Sequence, residues 1–372
     1  MLFYIPTSII EELKISPSKS LIDALDNLAF VRLQGLHLLL SSPKNLEYLK
    51  NFTRFQPKTK SLFAYLHSNF PTLNGVISKL TYFVTITTLP RKMEISQLDK
   101  KSTLLLSIEY LQDIRVLAIN EILAENITEI KFYEKISYLF KKQNRLNYLK
   151  GEFIKLQGGG DTTASIYGQR QAEMKSFCLC FVDSDKYYPN GKEGDTLKKV
   201  REIDEPNQLL CKYFPLSVRE IENLIPIKCL EKICHISVNW KKGLEFIKRL
   251  QSLGYFEEIK YIDYKHGLPC KKIKDAKTNP ELFSYIKKIL IDTNSCTQIQ
   301  IDEILKMCDE DLKLSEPVVN GVGAKILDKA IEINFDEERI GFEDLFDFQK
   351  EEWNRIGQEM LNWTCSTSRL VI

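Results

Sequence analysis

The chain has 372 residues, 44% of them hydrophobic and 27% charged, with a formal net charge of +2. That length suits one large domain or, better, two, and the near-neutral balance excludes a global basic field, so any nucleic-acid footprint must be local. No apolar run approaches the ~18 residues of a membrane span, and the nine cysteines, odd in number and mostly set in apolar runs, imply reduced thiols in a cytoplasmic protein.

The first residues, MLFYIPTSIIEELK, carry acids early and no small-residue cleavage site, so no signal peptide is expected. Residues 1–115 read as a mainly helical region for docking or oligomerisation. Ser18 to Leu28 has apolar residues at helical spacing, Val31 to Leu40 continues it to the Ser41-Ser42-Pro43 break, and Pro43 can start another helix. Leu80 to Leu89 is rich in β-branched and aromatic residues and reads as a strand.

Residues 116–235 change rhythm to strand, helix, strand, helix, strand, the pattern of a parallel sheet covered by helices. An apolar strand closes at Glu125, and Thr128 can cap a helix through Phe140. Phe153 to Leu156 is a short strand ending in Gly158-Gly159-Gly160, and Asp161 opens a helix to about Lys175. Phe177 to Val182 is uninterruptedly apolar, as in a strand buried on both faces, and Asp183 and Asp185 follow it. In an extended chain those two carboxylates share a side, which suits a divalent cation; a solvated Asp-Ser-Asp turn is the plainer alternative. Leu209 to Phe214 reads as a fourth strand, with a helix from about Ser217 carrying Arg219, Glu220 and Glu222. On a helix only one of those two glutamates could readily face a site. Residues 236–372 read as helical again, interrupted by an edge strand from Ile259 to Tyr264.

Acids at the carboxyl ends of successive parallel strands lie where ligands bind in such sheets. Their order resembles the Toprim domain shared by bacterial primase, type IA topoisomerases and OLD-family nucleases. EILAENITEIKFY (121–133) looks like the first Toprim motif, VDSD (182–185) like the second, and REIENLIP (219–226) is similar to the acidic element of OLD-like and PARIS AriB-like defence nucleases. Asn126 stands where that family usually has Gly, although Asn tolerates left-handed geometry. The resemblance spans less than a third of the chain.

What the resemblance implies is an α/β, Toprim-like catalytic domain flanked by largely helical regions. It would be a magnesium- or manganese-dependent endonuclease acting on DNA or structured RNA, tRNA included, as an antiviral effector. Glu125, Asp183 and Asp185 would hold one ion, and Glu129 with Glu220 or Glu222 a second; Ser217 could add a hydroxyl. Carboxylate oxygens suit these hard ions, and two ions can neutralise attacking and leaving oxygens of a phosphodiester. No Gly-Lys-Ser/Thr phosphate loop occurs, so the resemblance also implies a separate ATPase or sensor partner, and it leaves a homo-oligomer open. Arg219, Gly159, Lys186 and Lys199 are weaker candidates for contacting nucleic-acid phosphates. For each there is a bland counterpart. Glu129 suits a first helical turn, Glu220 and Glu222 an exposed helix start, Arg219 an ion pair, the glycines tight packing, and the lysines a solvated face. The rival function is a catalytically degenerate Toprim scaffold in a nucleic-acid complex. Cys229, Cys234 and His235 lack the partner pair a zinc site needs.

Overall fold

The computed structural model describes residues 1–98, 101–308 and 312–371. It is an α/β protein whose chain divides into two compact units, neither of them continuous in sequence. The first unites Met1–Phe181, Val200–Phe214 and Arg355–Ile372; the second unites Val182–Lys199 and Pro215–Asn354.

The first unit holds two larger sheets. Strands β1 (Leu2–Ile5), β2 (Leu38–Ser41), β3 (Tyr82–Thr87), β4 (Met93–Leu98) and β5 (Lys101–Ser107) assemble in the order β2-β1-β3-β5-β4. All the pairings are parallel except β4 against β5. Residues 1–115 therefore add a five-stranded sheet to the helices expected there. The helical pattern from Val31 to Leu40 is cut by Gly35, whose φ of 82° ends helix Lys19–Gln34 and sends the chain into β2. A side chain at Gly35 would also strike the backbone of Thr367, only 2.7 Å from its Cβ position.

The second sheet of this unit contains β6 (Glu121–Ala124), β8 (Ile154–Gln157), β9 (Cys178–Val182) and β10 (Cys211–Pro215), ordered β10-β9-β6-β8. Between β6 and β8, the two-residue β7 (Lys150–Gly151) pairs with Cys365–Ser366. β6 runs parallel to both β8 and β9. Every residue of β9 is buried, as its unbroken apolar run requires. Phe181 stacks on Tyr133 at 4.2 Å, Phe177 meets Trp363 edge-on at 6.3 Å, and Trp363 stacks on Tyr82 at 5.9 Å. The strand-helix alternation expected over 116–235 is present, but its residues are divided between the units.

The second unit is mainly helical, with one small antiparallel pair, β11 (Gly267–Pro269) and β12 (Pro317–Asn320). Its longer helices include Val238–Ser252 and Pro280–Asp292. The expected edge strand at Ile259–Tyr264 does not form. Helix Phe256–Ile259 turns there instead, with Tyr264 buried rather than alternating along an edge. Trp353 anchors this core, stacked on Phe335 and edge-on to Phe342. All the cysteines except Cys308 are buried. Among the described residues, no helix is long and apolar enough to cross a membrane.

Candidate functional site

Asp183 and Asp185 lie in the second unit, in the segment that leaves β9. The chain stops being extended immediately after the strand, because Asp185 has a φ of 53°. The two aspartates therefore do not share a side through strand alternation; loop contacts fix each of them separately. Asp183 accepts a hydrogen bond from the Ile221 N–H at 3.1 Å. The Asp185 N–H donates to the Arg219 carbonyl at 2.9 Å, and the Ser184 hydroxyl donates to the Val218 carbonyl at 2.6 Å. These bonds bind 183–185 to 218–221 along their length. Gly194 closes the other side: its N–H donates to the Ser184 carbonyl, and a Cβ there would come within 2.5 Å of the Asp185 Cβ. Only glycine permits that approach.

Glu220 and Glu222 belong to the same neighbourhood. The segment is not a helix at Glu220, whose φ and ψ of −138° and 158° are extended; a short 3₁₀ turn, Ile221–Leu224, follows it. That conformation overturns the expectation that only one of the two could face the site. Lys265 Nζ lies 3.2 Å from Glu220 and 3.1 Å from Glu222, so both side chains reach one ammonium. Asn223 holds the turn. Its side-chain oxygen accepts from the Glu220 N–H, and its amide donates to the Ile259 and Ile262 carbonyls. Gln349 and Trp353 then cap the carbonyls of Asn223, Ile225 and Leu224.

Arg219 is 4% exposed and makes ion pairs. It binds Glu220 at 2.8 Å and Asp263 at 3.3 Å, and its guanidinium lies over the Tyr187 ring at 3.8 Å. Burial pulls its pKa down, yet Glu220, Tyr187 and Asp263 together raise it above the ordinary arginine value. Lys265 behaves alike: burial opposes its charge, but Glu222, Glu220 and Asp183 outweigh that and raise its pKa. On the acid side, burial lifts Asp185 above the usual carboxylate range, with Arg219 and Lys265 pulling it back and Glu220 and Asp263 adding to the lift. Burial also pushes Glu222 up to about 7, against the pull of Lys265. Its second carboxylate oxygen is buried without a hydrogen bond. Among the described residues, Asp183, Asp185, Glu220, Glu222 and Asp263 thus lie around Arg219 and Lys265.

Among the described residues, no three His, Cys, Asp or Glu side chains converge closely enough to hold an ion. Lys265 Nζ stands where the carboxylates of Glu220 and Glu222 meet. The oxygens are of the type a hard divalent cation takes, although the side chains as placed do not converge on one point. The set consists of carboxylate oxygens alone, and one buried oxygen lacks a donor.

Glu125 and Glu129 lie in the first unit. The expected cap of their helix, Thr128, is displaced by Asn126, whose side-chain oxygen accepts from the Glu129 N–H at 3.1 Å. Glu129 answers in kind, accepting from the Asn126 amide at 2.7 Å and the Glu125 N–H at 3.2 Å. Glu129 thus lies in the first turn, as its plainer reading had it, and there it joins Asn126 in a reciprocal cap. Asn126 is extended, with φ −142° and ψ 164°, not left-handed. The glycine run is likewise structural. The N–H groups of Gly158 and Gly159 donate to the carbonyls of Ala124 and Glu125, both at 2.7 Å, and extend the ladder between β6 and β8. The Gly159 N–H, read as a candidate for phosphate, is thus engaged by the Glu125 carbonyl.

Ser217 gives its hydroxyl to Glu352 at 2.7 Å and its N–H to the same carboxylate. Lys199 is exposed on helix Asp195–Ile203, and Lys186 is half-buried beside Asp185. Lys265, Asp263 and Tyr187 were missed by sequence reasoning. Only Tyr187 had a signal, as part of the DSDKYYP segment; the other two arrive from about forty residues away through the turn after Ile259.

No protein-family model, curated protein or solved structure matches the chain.

Proposed function

We propose that the protein is a metal-dependent nuclease that hydrolyses phosphodiester bonds, with Asp183, Asp185, Glu220 and Glu222 as its central acids. The observation that carries this reading is the burial of Asp183, Glu220 and Glu222, with Asp185 half-buried beside them, around Arg219 and Lys265 in the second unit. Such a concentration of acid is costly unless a function needs it. Magnesium or manganese, held by Asp183, Asp185 and Glu220, would neutralise charge on the phosphate oxygens. The chain's own residues hold Asp183 by the Ile221 N–H, orient Glu220 through Arg219, and exclude water from Glu222 by burial. Lys265, at the junction of the acids, is placed to meet a phosphate oxygen when a divalent ion takes over its countercharge role.

The sequence resemblance adds Glu125 and Glu129 as further ligands, two ions in all. It also adds DNA or structured RNA as substrate, a cytoplasmic antiviral role, a Toprim-type sheet and a separate ATPase partner. The order β10-β9-β6-β8, with the acids following β6 and β9, supports the sheet assignment.

A scaffold that has lost catalysis is the second reading. It is favoured by one observation, that Arg219 and Lys265 already ion-pair with Glu220 and Glu222. One experiment separates the two. The purified protein, alone and with a candidate ATPase, is incubated with plasmid DNA and total tRNA, with magnesium, manganese or EDTA. The nuclease reading expects metal-dependent cleavage that Asp183→Ala abolishes. Identical behaviour of wild type and Asp183→Ala on every substrate would falsify it.

A further inference from the structure

Beside the carboxylate group, the second unit contains a cavity of about 200 Å³. Three tyrosines, Tyr187, Tyr261 and Tyr285, contribute to its walls together with Phe246 and aliphatic side chains such as Ile286, Ile289 and Val319. Polar groups are few: Asp263, His266 and Lys272. A cavity of ~150 Å³ accommodates one benzene-sized ring, so this one has room for a larger planar heterocycle.

Its placement narrows the occupant. Tyr187 and Asp263 line the cavity and also contact Arg219, the residue that binds Glu220. Lys272 Nζ lies 3.5 Å from the centre of the Tyr187 ring, so that ring is held by two cations. Whatever fills the cavity therefore lies two contacts from Glu220, with the positive charges of Arg219 and Lys272 beside it. Tyr285 supplies a second, independent sign of a missing ligand: its hydroxyl is buried and makes no hydrogen bond. An aromatic, mostly apolar cavity with a polar hydroxyl and neighbouring cations suits a flat ring that bears acceptors and is joined to a phosphate.

We propose that this cavity receives a single unstacked nucleobase. The choice of a nucleobase over another planar ring rests on the nuclease reading above. Enzymes that act on a strand commonly take one base out of its stack and read it between aromatic and apolar side chains. Here that base would seat the adjoining phosphate toward Arg219 and Lys272. A substrate with an already unpaired base, in a single strand or a loop, would then be preferred over a regular duplex.

The test uses the full chain carrying Asp183→Asn, so that binding is read without cleavage. Calorimetry compares the nucleoside 5′-monophosphates with ribose 5-phosphate, which has the phosphate and no base. Nucleotides are expected to bind at least about tenfold tighter, matching the affinity of one base on an aromatic platform. Leu268→Trp, which fills the cavity from a half-buried position, should remove that advantage. Tyr285→Phe, which keeps the ring and deletes only the hydroxyl, should weaken it severalfold. Thermal melting confirms that each variant is folded. Equal affinity for ribose 5-phosphate and the nucleotides overturns the proposal, as does unchanged nucleotide affinity in folded Leu268→Trp.

A second arm follows cleavage by the wild-type protein of short single strands carrying an abasic position at each place in turn. A sharp loss at one position identifies the strand as the source of the base. Nucleotide binding with no such position assigns the cavity to a free nucleotide. Failure of the nuclease reading is seen separately, as base binding in a protein that cuts nothing.

Discussion

Glu129 of the first unit and Glu220 and Glu222 of the second meet the same physical demand in different ways. Glu129 accepts hydrogen bonds from the Asn126 side chain and the Glu125 N–H, both within four residues of it. Glu220 and Glu222 rely on Arg219, Lys265 and a fold that brings Asp183 to within reach of the same ammonium. A helix cap is self-sufficient and would exist for stability alone. A buried acidic group held by distant cations is not, since replacing such charges by apolar side chains is often neutral or stabilising. The contrast shows why the second unit is the better place to look for chemistry.

The largest effect should come from the group that the second unit cannot satisfy locally. Asp183→Ala is expected to lower metal-dependent cleavage by more than about a hundredfold, the upper end of what losing a merely supporting group costs. Glu129→Gln keeps an oxygen for the cap. Its amide nitrogen then faces one of the two donors, the Asn126 amide or the Glu125 N–H, so the melting temperature should fall modestly. With cleavage read well below that temperature, a fall would mark Glu129 as a ligand, whereas unchanged cleavage would leave it a cap alone.

Next in size is Lys265→Met, which strips the shared countercharge from three carboxylates. Denaturant unfolding should show a loss of about 2–3 kcal/mol, below the range for a fully enclosed pair because Lys265 retains some contact with water. Millimolar manganese should restore part of that loss if the acids accept a divalent ion, and an absence of any metal effect in both wild type and variant counts against the site.

Smaller changes probe the first unit. Asn126→Ala should cost about 1 kcal/mol, the usual value of a lost cap, without altering the metal response. His37 offers a test by acidity. Its Nε2 faces the Leu117 and Ala118 carbonyls at 3.1 Å, while Nδ1 is buried with no hydrogen bond. Burial first, then the neighbouring amino terminus, holds its pKa well below the ordinary imidazole value. As pH falls, the unfolded chain takes up this proton before the folded one does. Its contribution is therefore intact above about pH 6.5 and is lost progressively below it, at up to about 1.4 kcal/mol per pH unit. Thermal melts between pH 7.5 and 5.5 should show that slope, reduced in His37→Gln.

Short-range signals carried the reading of the sequence well where the physics was local. The apolar run before Asp183 is a buried strand, the helical spacing after Ser18 is helix Lys19–Gln34, and Pro43 starts helix Pro43–Asn51. The five-stranded sheet was obscured because its β1 and β2 have only four residues each, too few to show a period beside long helical patterns. The acids at 183, 185, 220 and 222 were recognisable by type and order. Their geometry was not, because it depends on a left-handed Asp185 and an extended Glu220 rather than on regular strand or helix alternation. Lys265 and Asp263 were illegible for a related reason. Their charges gain meaning only through the fold after Ile259, where a turn replaces the anticipated edge strand.

The segmented make-up of the units bears on how the chain emerges from the ribosome. Trp363 and Asn362, which hold Tyr82 and Thr81, belong to Arg355–Ile372, and that segment is synthesised only after every residue of the second unit. Domains usually fold from the N-terminus as they appear. Here the first unit must wait with its core open, and the second can finish before it. Release of the chain beyond Trp363 would then be the step that closes the first unit, so arrest of translation near residue 355 should leave its Tyr82 side exposed to protease.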